Sequence, residues 1–315
     1  MTLLDAAVQR LAEHGLRAKR NLPLHRRGWW RLGGPADIFV EVRTPEHLVA
    51  VFQQDLPVTV LGNGSNLLVA DAGVRGIVVK LGGEFRASTI SRGPEGLEVE
   101  AGGGLTNAVL LQRLDQANCS GLGCLAGVPG TVGGAVRMNA GTHLGELGER
   151  VREVEVALPT GERTRLDPAQ IGFSYRKARL PPGAIVTRVW LRIRDDPDTV
   201  ATDREAVAAH LERRRATQPY DQPCCGSTFK NPPGDAAGRL IDACGLKGVR
   251  CGGAQISEKH ANFFINTGDA TASDIYELIL RARQAVFEQH GVLLEPEVHA
   301  IGDWPAGLWP LPDPT

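Results

Sequence analysis

Two glycine-rich segments constrain this chain more than any other feature of its sequence. The first, Gly62-Asn63-Gly64-Ser65-Asn66-Leu67, directly follows the apolar run 58–61. The second, Gly127-Val128-Pro129-Gly130-Thr131-Val132-Gly133-Gly134, leads into Met138-Asn139-Ala140-Gly141. Glycine is costly to order and serves where the backbone needs φ > 0 or must approach another group closely. The chain has 38 glycines in 315 residues, roughly 12% against an ordinary ~7%. No Gly-X-Y period accompanies the surplus, so collagen is excluded. Successive N–H groups in such turns form anion-binding nests, and Ser, Thr and Asn side chains add donors. Either segment alone is explained by tight turns in a β-rich domain. Two of them, each carrying Ser, Thr or Asn, favour a bound ligand.

The common nucleotide templates are missing. A dinucleotide GxGxxG would need glycine where Leu67 stands, and GxxxxGK[ST], GxSxG and HExxH do not occur. Lys and Arg total 35 against 36 Asp and Glu, so no global field draws the chain to nucleic acid or an acidic membrane. The N-terminus has no continuous apolar stretch of the signal-peptide kind, and no run reaches the length of a membrane span. The six cysteines form no CxxC and the histidines are scattered, so no metal is expected. Cys224 and Cys225 are adjacent, a poor geometry for a disulfide. A reduced, cytoplasmic chain is the expectation.

Residues 3–19 read as an amphipathic helix with Leu3, Leu4, Ala7, Val8 and Leu11 on one face. Short strands separated by glycine follow, clearest at 38–42, 58–61, 77–81 and 97–101, and 106–116 reads as a helix. A hairpin is expected at 151–158 and 162–166 around Thr160-Gly161, with a further strand at 185–193. Asp195-Asp196-Pro197-Asp198 is polar and helix-breaking, which suits a linker. Beyond it the period becomes 3.6, over 203–217, 236–244 and 273–289. Gly245 and Gly291 stop the last two helices, and Thr271 with Asp274 opens the final one as a capping box. Two α+β units divided near residue 197 result, followed by a proline-rich tail.

Both units carry residues suited to chemistry. Phe173-Ser174-Tyr175-Arg176-Lys177 supplies an arginine able to fork onto a carboxylate or phosphate. Cys225-Gly226-Ser227-Thr228-Phe229-Lys230-Asn231-Pro232 offers a hydroxyl, an ammonium and an amide within eight residues. Glu258-Lys259-His260-Ala261-Asn262 and Leu294-Glu295-Pro296-Glu297-Val298 add further charges. Taken singly, each also reads as a turn cap, a solvated charge or a structural histidine.

Taken in order, these segments closely resemble the bacterial UDP-N-acetylenolpyruvoylglucosamine reductase family. The landmarks begin with Arg31-Leu32-Gly33-Gly34-Pro35-Ala36-Asp37, the 61–68 segment with Asp71, and 127–135 with 138–141. They continue through 173–176, 226–232, Leu246-Lys247-Gly248, Gly252-Gly253-Ala254, 257–262, and 295–298 with Gly302. The resemblance spans about residues 20–302. The spacing from Tyr175-Arg176 to Ser227 looks like the shorter subtype, which lacks a tyrosine-bearing loop.

The resemblance implies an α+β fold. Residues 1–197 would form an FAD-binding domain like that of vanillyl-alcohol oxidase, an N-terminal helix and two α+β subdomains. Residues 198–302 would form an α+β substrate-binding domain, and 303–315 a tail. Non-covalent FAD would lie on Gly62, Asn63, Gly64, Ser65, Asn66, Leu67, Gly127, Val128, Pro129, Gly130, Thr131, Gly133, Gly134, Asn139 and Ala140. NADPH would reduce it, and the enolpyruvyl UDP-sugar would then be reduced to UDP-N-acetylmuramate for peptidoglycan synthesis. By the same resemblance Ser227 protonates C2, Arg176 and Glu297 lie on the enolpyruvyl carboxylate, and Tyr175, Lys230, Asn231, Lys259 and His260 contact the substrate. A monomer is favoured. The chain departs from the family pattern at Trp29-Trp30, at Lys177-Ala178, at His299 where arginine is usual, and after 302. Two rivals share parts of the pattern: another FAD oxidoreductase of the same fold, and a non-catalytic nucleotide-binding module.

Overall fold

The computed structural model describes residues 2–93, 96–193 and 197–305. They group into two compact units, one of residues 1–19, 38–63 and 76–214, the other of 20–37, 64–75 and 215–315. Of the expected linker, Asp195 and Asp196 lie outside the described residues, as does the tail from 306. Pro197 and Asp198 open a 21-residue helix, Pro197–Thr217, which runs through 197/198 and 214/215 alike.

The first unit contains two cores. Its N-terminal helix, Leu3–Glu13, starts on a reciprocal cap in which Thr2 Oγ1 accepts from the Asp5 N–H and the Asp5 carboxylate accepts from the Thr2 N–H. It ends short of residue 19 because Gly15, at φ +75°, turns the chain back. The Leu16 N–H then donates to the Leu11 carbonyl and closes the helix end. Ala7 and Leu11 from this helix join Leu48 and Val51 from the helix Pro45–Phe52 in one core. The strands beneath them run Pro35–Val42, Val74–Leu81, Val58–Val60 in sheet order, the last two paired in parallel.

The other core of this unit lies on a five-stranded antiparallel sheet ordered Arg163–Leu166, Val151–Ala157, Ile185–Ile193, Gly96–Gly102, Ser88–Gly93. The expected hairpin around Gly161 is present, with Ala157 opposite Arg163. Alternation along these strands buries Val99, Val154, Val156, Val189 and Leu191 with Leu110 and Leu114 of the helix Asn107–Gln116. The α+β character expected of this region is the observed one.

The second unit is built around the helices Ala237–Ala243 and Ala272–His290 and the small sheet Arg250–Cys251, Ala254–Ile256, Phe264–Asn266. Trp30, 1% exposed, sits in its core. The indole N–H donates to the Phe264 carbonyl at 2.7 Å, and Asn266 Nδ2 donates to the Trp30 carbonyl at 2.8 Å. The strand His299–Ile301 pairs in parallel with Leu67–Val69. Asp71 then accepts from the Ala272 and Ser273 N–H groups and the Ser273 hydroxyl, placing a negative charge on the N-terminus of the longer helix. Among the described residues, no helix is long and apolar enough to cross a membrane.

The Gly33-Gly34-Pro35 signature has a packing explanation. A Cβ on Gly34 would stand 2.2 Å from the Asp71 carbonyl oxygen, and one on Gly73 would stand 2.0 Å from that of Pro35. Two backbone segments therefore touch without intervening side chains. Overfilling such a contact costs about 1–3 kcal/mol. Gly34→Ala should lower stability by at least that amount in urea unfolding, whereas Gly134→Ala, whose Cβ would meet nothing closer than 3.4 Å, should leave it within about 0.5 kcal/mol. Equal midpoints for the two variants would refute the packing account.

Candidate functional site

The first glycine segment begins where the chain leaves its sheet. The Leu61 N–H donates to the Val79 carbonyl, the last such bond on this strand. Beyond it the N–H groups of Gly62, Asn63, Gly64 and Asn66 find no acceptor among the described residues. Gly64 is buried, adopts φ +60°, and accepts from the Trp29 N–H through its carbonyl at 3.0 Å. A Cβ there would meet the Arg27 carbonyl oxygen at 2.6 Å, so glycine is required. Buried main-chain donors are ordinarily paired. A row of such donors free on one loop is what an anionic or carbonyl-rich ligand would satisfy.

The second segment repeats the arrangement. Gly127, Gly130 and Thr131 also have N–H groups without an acceptor among the described residues. The row ends at Val132 and Gly133, whose N–H groups donate to the Leu105 and Gly103 carbonyls. Thr131 then caps the short helix Val132–Arg137, its hydroxyl accepting from Gly134 N–H at 3.3 Å. The two segments meet: a Cβ on Gly62 would lie 2.9 Å from Thr131 Oγ1. Asn139 and Ala140 support this region from within, since their N–H groups bond to Val136 and Ala135. The Val128 N–H likewise bonds to Leu125.

Arg176 sits on a two-residue turn closed by hydrogen bonds between Ser174 and Lys177 at 2.9 and 3.0 Å. It is a non-glycine residue at φ +54°, a sparsely populated conformation that concentrates at functional sites. Its Nη2 donates to the Gly141 carbonyl at 2.8 Å, its Nη1 lies 3.6 Å from Glu146, and its guanidinium stacks 4.9 Å from the Tyr175 ring centre. Tyr175 is itself half exposed.

In the second unit, Ser227 and Glu297 lie on neighbouring segments. The Glu297 N–H donates to the Thr228 carbonyl at 2.8 Å, and Phe229 bridges to Pro296. Asn262 fastens the Ser227 segment from the other side: its Oδ1 accepts from the Phe229 N–H and its Nδ2 donates to the Phe229 carbonyl. The Ser227 hydroxyl is half-buried and has no hydrogen-bond partner among the described residues. Beside it, Gly226 at φ +74° faces open space, with nothing within 4 Å of its Cβ position. Asn66 Nδ2 donates to the Glu297 carbonyl at 2.9 Å, and the buried Cys225 thiol lies 3.6 Å from the Gly64 carbonyl oxygen and 3.8 Å from that of Leu67. Burial pushes that thiol up to about 12, so it remains a neutral S–H.

Several of the expected substrate residues hold protein partners. Lys230 Nζ pairs with Glu295 at 2.5 Å, Asn231 Oδ1 accepts from the Ala237 N–H, and Lys259 Nζ donates to the Arg215 carbonyl. His260 stacks edge-on against Phe263, and burial with Lys247 nearby lowers its basicity. Glu146, Asn262 and Cys225 emerge as supports that the sequence reading did not assign. Their only sequence signal is proximity to glycine or to an already suspected residue, because each acts on a partner distant along the chain.

Comparison with known proteins places the chain in a family. Residues 36–167 match the FAD binding domain family, and residues 218–301 match the C-terminal domain family of UDP-N-acetylenolpyruvoylglucosamine reductase. The UDP-N-acetylenolpyruvoylglucosamine reductase of Moorella thermoacetica is 47% identical over 292 residues, covering 91% of this chain and 94% of that protein. Its counterpart numbered 2 in Symbiobacterium thermophilum is 45% identical over 92% of this chain and 94% of that protein. The crystal structure of the Thermus caldophilus reductase, MurB, is 41% identical and superposes with a TM-score of 0.77, covering 91% of this chain and 99% of that one. This chain belongs to the UDP-N-acetylenolpyruvoylglucosamine reductase family.

Proposed function

We propose that the protein is an FAD-dependent reductase that uses NADPH to convert the enolpyruvyl ether of UDP-N-acetylglucosamine into UDP-N-acetylmuramate. Family membership supports the reaction, and the FAD-binding match over residues 36–167 supports the cofactor. The observation that carries the reading to named residues is the half-buried Ser227 hydroxyl, without a partner among the described residues and next to the open side of Gly226. The N–H groups at 62–64, 66, 127, 130 and 131, unpaired among the described residues, fit a non-covalent FAD, whose pyrophosphate and ring carbonyls are acceptors. Those residues would hold FAD, which would supply the hydride chemistry linking NADPH to C3 of the enolpyruvyl group.

The chain's own residues handle the remaining charge and proton. Ser227 would donate the proton to C2 on one face, so that hydride and proton together saturate the double bond. Arg176 and Glu297 would lie on the carboxylate and stabilise the enolate that develops as hydride arrives. Tyr175, Lys230, Asn231, Lys259 and His260 would line the UDP-sugar, with the Lys230–Glu295 and Lys259–Arg215 contacts opening to admit it. Residues 1–197 and 198–302 would then serve as flavin and substrate domains of a cytoplasmic monomer in peptidoglycan precursor synthesis.

The protein purified with FAD should be yellow, bleach anaerobically on adding NADPH, and regain its colour with the enolpyruvyl UDP-sugar. A protein that binds no flavin refutes the reading, and one that binds nucleotide without bleaching is a binding module. In Ser227→Ala, bleaching by NADPH should persist while reoxidation by the sugar substrate slows roughly 10²- to 10⁴-fold. Reoxidation at the unaltered rate would point to another acceptor on the same fold.

A further inference from the structure

One strand pair supplies two acceptors to the guanidinium of Arg176. Gly141–Thr142 and Gly145–Glu146 run antiparallel, with Gly141 opposite Glu146. Gly141 offers its carbonyl to Nη2 at 2.8 Å, and Glu146 offers Oε1 to Nη1 at 3.6 Å. The second carboxylate oxygen of Glu146 is fixed in turn, accepting from Asn139 Nδ2 at 2.6 Å. Asn139, 1% exposed, also donates to the Ser174 carbonyl at 3.0 Å and accepts from the Gly148 N–H at 2.8 Å. A single buried amide thus grips both the turn that carries Arg176 and the carboxylate beside its guanidinium.

From this network we infer that Glu146 is a positioning residue, which orients Arg176 for the carboxylate of the substrate. The inference rests on the assignment of Arg176 to that carboxylate. An arginine side chain has many rotamers, and a misplacement of about 1 Å at a reacting centre costs on the order of 10²-fold in rate. The guanidinium has five N–H donors, so contact with Gly141 and Glu146 is compatible with binding a further carboxylate. Glu146 would add negative charge near an anionic substrate, which weakens binding unless orientation outweighs repulsion. That conflict makes the idea testable.

Glu146→Gln preserves an oxygen for Asn139 but turns an amide towards Arg176. Rates of flavin bleaching by NADPH and of reoxidation by the enolpyruvyl sugar should be measured with substrate affinity, alongside Glu146→Asp and Arg176→Ala. Positioning predicts unchanged bleaching, reoxidation slowed roughly 10- to 100-fold, affinity no tighter than in the unaltered protein, and partial recovery in Glu146→Asp. Tighter substrate binding with unaltered turnover in Glu146→Gln would show a mere counter-charge and overturn the inference. Full turnover in Arg176→Ala would instead remove the carboxylate assignment beneath it. Where Glu146→Gln fails to retain flavin, Glu146→Asp carries the test: a turnover defect at unaltered flavin content supports positioning, and unaltered turnover refutes it.

Discussion

The arrangement of the second unit depends on one pairing of distant segments. Leu67–Val69 runs parallel to His299–Ile301, and Asn66 bonds to Glu297 across 231 residues of chain. Closing so long a loop has an entropic cost that grows only slowly with length, and the buried cluster around Trp30, Phe229 and Phe264 is what offsets it. The pairing fixes the end of the first glycine segment beside Glu297, and the Glu297–Thr228 hydrogen bond then brings the Ser227 segment alongside. Glycines 34 and 73 permit the same approach further along, where backbone lies directly on backbone. A side chain at either of these positions would force the two backbone segments apart.

The glycines fall into two physical classes. Some, such as Gly34, are absorbed by protein packing. Around Gly62–Gly64 and Gly127–Gly130 the backbone also leaves N–H groups unpaired among the described residues, and Gly64 belongs to both classes, since a Cβ there would meet the Arg27 carbonyl oxygen. An unpaired donor is costly in a folded protein unless a ligand or solvent satisfies it. The placement of basic residues follows the same division. The free donors are main-chain groups, while Arg176 is anchored by Gly141 and Glu146 on its own network. A main-chain cradle offers fixed dipoles without a mobile side chain.

Much of the architecture was legible in the sequence because it is local. The 3.6 period and the Thr271–Asp274 box located the helix Ala272–His290, and alternation with Thr160-Gly161 located the hairpin. The apolar pattern overextends the N-terminal helix, since Gly15 stops it through a left-handed turn that the pattern does not register. The short strands Leu67–Val69 and Phe264–Asn266 carry too few residues to show a period at all. Trp30 looked like a departure in the sequence and is a core anchor in the fold, because its indole N–H finds the Phe264 carbonyl.

The sequence by itself determined which residue types stand ready: two glycine segments with Ser, Thr and Asn, a lone Ser227 after Gly226, and Arg176 after an aromatic residue. Spacing and order were enough for these because turns, caps and family landmarks are short-range patterns. Only the tertiary structure decided which of them are spent on the protein itself. It set Asn139 on Glu146, Asn231 on Ala237 and Lys230 on Glu295, and it left the Ser227 hydroxyl without a partner among the described residues. The physical reason is that hydrogen bonding is saturable: a donor's availability depends on every acceptor the fold brings near it, including those hundreds of residues away.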